Sequence, residues 1–121
     1  MAKNDYDVIV YKILLYLYAV LKREIVFRKD TFDELISKAD ISNEYLADIL
    51  RMMQDEGLIE GALIIRAWGG DSIIAGDMTR IRITAAGIRY LKDNSKMQKI
   101  REALVEIPGL AATLINIVKP L

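Results

Sequence analysis

The chain has 121 residues and a mass of 13.7 kDa, a size that fits one compact domain rather than two. Apolar residues at 53% supply a core, and seventeen Lys+Arg against seventeen Asp+Glu leave no net charge to draw the chain toward nucleic acid or a polycation. It holds no cysteine and no histidine, which removes disulfides, Cys/His zinc sites, thiol nucleophiles and every imidazole-based mechanism.

The first element is a helix over residues 5–23, with Ile9, Ile13, Tyr16, Leu17 and Val20 on one apolar face. Val8, Leu14, Leu15 and Tyr18 give it a second apolar face. Such a helix is covered on both sides, either by packing against a C-terminal helix or by a homodimer interface to which Leu110 and Leu114 would add. The start of the chain lacks the basic segment and cleavage site of a signal peptide. Lys12 interrupts the first apolar stretch, and Glu106 with Pro108-Gly109 interrupts the last one, so neither reaches the roughly 20 residues of a membrane span. A cytoplasmic protein without membrane association is expected.

Residues 31–57 read as a helix-turn-helix. Thr31 and Glu34 have capping-box spacing and open a short helix burying Phe32, Leu35, Ile36 and Ala39. Ser42 is the N-cap of the second helix, which buries Leu46, Ile49, Leu50 and Met53 and ends at Gly57. Residues 58–84 read as a wing: one strand over 58–67, a Gly- and Asp-rich loop from Trp68 to Asp77, and a second strand over 78–84. On that second strand Ile81 and Ile83 share one face, with Arg80 and Arg82 on the other. Trp68 is expected as a hydrophobic anchor at the wing base. Residues 85–118 complete the chain as C-terminal helices, the last with a stripe of Met97, Ile100, Leu104 and Ile107. The expected fold, over residues 1–121, is mainly α with a small antiparallel β-ribbon: a winged helix-turn-helix with flanking N- and C-terminal helices.

Asp55-Glu56-Gly57-Leu58-Ile59 followed by Ile83-Thr84-Ala85-Ala86-Gly87 resembles bacterial winged helix-turn-helix domains. The tail from Thr84 to Met97, leading through an amphipathic segment to Glu106-Ile107-Pro108-Gly109-Leu110, resembles the YjcQ family, small winged-helix proteins of Gram-positive bacteria and their phages. The resemblance covers roughly residues 11–110 and implies the fold and a prophage setting. It implies no catalytic residues.

Charge is unevenly spread. Residues 30–60 carry nine acids against Lys38 and Arg51, whereas residues 80–101 carry seven bases against Asp93. The outer face of the second helix would offer Asn43, Glu44, Ala47, Asp48, Arg51 and Asp55 to a major groove, and three carboxylates there repel phosphates. Asn43 and Arg51 are nevertheless its candidate base readers. Arg80 and Arg82 on the wing, with Lys92, Lys96 and Lys99 after it, are the candidate phosphate contacts. Gly69-Gly70-Asp71-Ser72 and Gly76-Asp77 match no calcium-loop spacing, and no phosphate-loop or dinucleotide motif is present. No enzyme activity, cofactor or metal is therefore expected. Two functions stay open: a DNA-binding regulator touching double-stranded DNA through wing and post-wing helix, and a protein-interaction module of phage type without DNA binding. A homodimer is expected in either case, and partner or membrane binding by residues 110–118 is a weaker third reading.

Overall fold

The longest element of the computed structural model is α1 (Tyr6–Leu21). The structure describes residues 5–37, 39–66, 69–70, 72–76 and 78–93. Every residue from Val8 to Leu17 is buried, Lys12 included at 2% exposure. With each large apolar side chain contributing about 1.5–3 kcal/mol on burial, α1 is the axis on which the other elements pack. It meets α2 (Lys29–Ser37), α3 (Asn43–Asp55), β4 (Arg82–Ile83) and α4 (Ala85–Asp93). The double-faced cover expected of this helix is present, and the chain supplies it. Val8, Leu14 and Leu15 are 0% exposed in the single chain, so they are core residues and not the dimer interface expected of them. Tyr18 is half-buried against the same core, and Leu110 and Leu114 lie outside the described residues.

α1 closes with a double turn in which Arg23 N–H bonds the Val20 carbonyl and Glu24 N–H bonds that of Ala19, both at 3.1 Å. Arg23 takes φ +65° there, a left-handed position where a side chain costs about 1–2 kcal/mol and glycine is usual. The next helix starts earlier than the Thr31–Glu34 spacing suggests. The Tyr16 hydroxyl accepts the Arg28 N–H at 2.9 Å and donates to its carbonyl at 3.3 Å, pinning the chain at Arg28. α2 therefore begins at Lys29, with Thr31 already inside its first turn. The Asp30 carboxylate accepts the Thr31 N–H at 2.9 Å. The Arg28 guanidinium bound to it, and then that N–H, hold the Asp30 carboxyl below its usual range. Ser42 caps α3 as expected, its hydroxyl accepting the Tyr45 N–H at 3.1 Å.

The ribbon is more divided than two strands and a loop. It comprises β1 (Ile59–Glu60), β2 (Leu63–Arg66), β3 (Ser72–Ala75), a 3-10 turn (Met78–Arg80) and β4. β1 pairs antiparallel with β4, matching Ile59 to Ile83 and Glu60 to Arg82. β2 pairs antiparallel with β3, matching Leu63 to Ala75 and Ile65 to Ile73. Gly61 makes the break: at φ +83° it lies so close to the Arg80 carbonyl that a Cβ would stand 2.2 Å from the oxygen. Arg80 thus sits in a 3-10 turn and not on a strand beside Arg82, while β3 occupies part of the expected loop. The buried positions of Ile81 and Ile83 are as expected. Trp68, Asp71 and Asp77 lie outside the described residues, as do Lys38, Lys96, Lys99 and the expected last helix. The result is a mainly helical fold with small antiparallel sheets, in an element order consistent with a winged helix. No described helix is long and apolar enough to cross a membrane.

The two quoted motifs form one joint. Gly57 takes φ +80°, its N–H bonding Gln54 O at 3.0 Å while Leu58 N–H bonds Met53 O at 2.9 Å. Thr84 then donates its N–H to Leu58 O at 3.1 Å and its hydroxyl to Gly57 O. The same hydroxyl accepts Gly87 N–H at 3.1 Å and so caps α4. A Cβ on Gly87 would stand 2.4 Å from Leu58 O and 2.7 Å from Ile83 Cγ1.

Gly87→Ala is expected to destabilise the protein by about 1–3 kcal/mol through that overlap, read as a lowered thermal midpoint. An unchanged midpoint would contradict the joint. A second expectation concerns tyrosines. Burial pushes the Tyr11 hydroxyl up to about 12, helped by Tyr90; burial, then Asp7, Tyr6 and Glu56, push Tyr90 to about 12 as well. Folded-state values above the ordinary 10 mean a stability contribution that is complete below pH 10 and lost as pH rises through 12. Tyr6 and Tyr16 are raised as well, chiefly by burial. Absorbance at about 295 nm should therefore show four of the six tyrosines ionising late, Tyr11 and Tyr90 among them, together with loss of helical circular dichroism. All six titrating near 10 with the helices intact would refute it.

Candidate functional site

The outer surface formed by α3 and the β2–β3 hairpin is the place where a winged helix would meet a duplex. Its chemistry here is acidic and aliphatic. Asn43, Glu44 and Asp55 are exposed, whereas Ala47, expected on this face, is buried at 1%. Arg51 is held from both sides by its own helix, 3.4 Å from Asp55 Oδ2 and 4.0 Å from Asp48 Oδ1. With its charge already offset, Arg51 is a poor reader of bases or phosphates. A cleft of about 480 Å³ separates α2, the start of α3 and the hairpin, lined by Lys29, Asp33, Asn43, Glu44, Ile73 and Met78 among others. Lys29, the cation in this lining, lies 2.8 Å from Asp33. A phosphate entering there meets Glu44 with no free cation among the described lining residues.

The hairpin carries the unexpected feature. Its register puts Ile64 and Ile74 on the inner face, half-buried against the core. On the outer face Leu63 is 57% exposed, Ile65 48% and Ile73 46%. A two-stranded ribbon has one core to pack on, so aliphatic side chains on both faces leave one face open. The runs Leu63-Ile64-Ile65 and Ile73-Ile74, placed either side of Gly69-Gly70, are the signal from which this could have been read. Reading 68–77 as a loop concealed it.

The hairpin is locked onto α3 by Gln54. Its side-chain amide donates to the Ala62 carbonyl and its carbonyl accepts the Ala62 N–H, each at 2.8 Å. Gln54 thereby takes the place of a neighbouring strand at the point where Gly61 breaks the ladder.

Among the basic candidates, Arg82 turns back on its own turn, Nη1 donating to the Thr79 carbonyl and, at 3.1 Å, to that of Ile81. Arg80 and Lys92 are exposed, on separate elements. The structure therefore does not assemble Arg80 and Arg82 into one strand-borne phosphate clamp. No cluster of three or more Asp or Glu able to hold a metal occurs among the described residues.

Gln54→Ala is expected to cost about 1–3 kcal/mol, because Ala62 is buried and both of its backbone groups lose their partner. Hydrogen exchange should then rise selectively in residues 59–66; uniform exchange with an unchanged midpoint would contradict the lock.

No curated protein and no solved structure gives a match to the chain. The family model described as YjcQ protein matches residues 11–109, a span containing the α3 acids, the hairpin and the joint. The chain belongs to the YjcQ family.

Proposed function

We propose that the protein is a binding module for a protein partner, which it meets through the hairpin and the acidic side of α3. The outward aliphatic face of Leu63, Ile65 and Ile73 carries this reading. Apolar patches of this kind, rimmed by polar groups, are what protein interfaces use. Glu44, which lines one cleft with Ile73, and the net negative charge left where Asp48 and Asp55 flank Arg51 suit a partner segment whose apolar side chains are flanked by lysine or arginine. With the reading go a cytoplasmic location, an accessory role of the prophage kind and no catalytic step. It needs no second copy of the chain.

A DNA-binding regulator is the second reading. Arg66, Arg80, Arg89 and Lys92 favour it, being exposed and without an acidic partner among the described residues. The offset charge of Arg51 and the Glu44-lined cleft weigh against it.

The test uses two fluorescent probes on the full chain, a leucine–lysine amphipathic peptide and a random DNA duplex. The peptide should bind, and Ile65→Glu with Ile73→Glu should weaken it about tenfold or more, equivalent to about 1.4 kcal/mol. Duplex binding should be absent even at about 50 mM salt. Duplex affinity that falls steeply with salt and vanishes in Arg80→Glu with Arg82→Glu, together with a peptide indifferent to the hairpin variant, would establish the second reading instead.

A further inference from the structure

A second cleft, of about 360 Å³, lies between the end of α1 and the turn before β4, away from the hairpin. Two arginines, Arg23 and Arg82, line it together with Val20, Ile25, Val26 and Phe27, and none of the described lining residues is acidic. Phe27 gives the apolar wall a rigid backing, because its ring packs on Tyr16 at 5.4 Å and on Phe32 at 5.6 Å. Val26 is 80% exposed at the rim. Glu24, next to Arg23 in the chain, is taken up by Lys22 at 3.4 Å, and Glu60, opposite Arg82 in the β1–β4 register, is not part of the lining.

Both cations are set for a ligand. Arg82 is fixed by the Thr79 and Ile81 carbonyls, which orient a guanidinium without neutralising it and leave Nη2 and Nε to donate. Arg23 stands at φ +65°, where glycine would be less strained, so its side chain is carried at a conformational cost. Two guanidinium groups that form no ion pair among the described residues, over an aliphatic and aromatic wall, complement an anion attached to something apolar. A phosphodiester would meet that wall with a charged, hydrated backbone, which such a wall disfavours. We infer that this cleft binds a carboxylate carried on a small apolar body, an anion site separate from the partner face and independent of it.

The full chain is titrated calorimetrically with N-acetyl-leucine, with N-acetyl-leucinamide, and with an acetylated tetrapeptide ending in leucine as the free acid. The acids should bind with a Kd near or below about 1 mM and the amide at least about tenfold more weakly. Tighter binding of the tetrapeptide would identify a chain terminus as the natural source; equal binding would identify a free small carboxylate. Arg23→Asn, whose new side chain tolerates the left-handed backbone, should keep the thermal midpoint while weakening the acids about tenfold. Arg82→Lys should retain part of the affinity, since charge remains but the fork is lost. Equal binding of acid and amide would overturn the inference. So would displacement of N-acetyl-leucine by inorganic phosphate at equal concentration, or undiminished affinity in Arg23→Asn.

Discussion

The joint between Gly57-Leu58 and Thr84–Gly87 is the constraint on which the architecture turns. Two consecutive carbonyls left over at the end of α3 become acceptors for one threonine, and that threonine caps the next helix. The glycine three residues later is needed because α4 lies directly on the Leu58 carbonyl. One helix end and one helix start therefore satisfy each other's unpaired backbone groups, a solution that places α4 against α1 and closes the β1–β4 pair. A side chain at residue 87 or a lost hydroxyl at residue 84 would reach all three elements at once.

From that joint outward, the molecule separates a covered side from an open one. α1 is enclosed by its own chain, and its second apolar face belongs to the core. The hairpin, by contrast, turns only Ile64 and Ile74 inward, and its outer residues stay uncovered. Gln54 fixes where that open face sits relative to the acids of α3. A single glutamine thus holds the shape and charge of this surface in one geometry.

Local chemistry was readable where the deciding partner lies within a few residues. Ser42 and Gly57 act at helix ends through bonds to the adjacent turn, forward for the first and backward for the second, so their roles follow from spacing alone. Thr31 misleads because the start of α2 is set by Tyr16, which pins Arg28 from twelve positions away. Arg80 and Arg82 alternate properly with Ile81 and Ile83, yet the close approach of Gly61 to the Arg80 carbonyl curls the first of them into a 3-10 turn. The apolar residues assigned to a dimer show a similar limit: periodicity marks a face for covering but does not say which surface covers it. The offset charge of Arg51 follows from the helical spacing of Asp48 and Asp55, whereas the cleft that brings Arg23 and Arg82 together could not be seen without the third dimension.

Because both ends of the excursion from Ile59 to Ile83 are clamped, its middle is insulated from the rest of the domain. Gly69 and Gly70 stand at φ +90° and +89° with open space where a side chain would go. Loop closure depends only logarithmically on length, each doubling adding about 0.6 kcal/mol, so added residues at this tip draw little on the stability of the helices. The hairpin's length and outer side chains are thus free to drift without disturbing the helices. Substitution there leaves the joint and the helices it orders untouched.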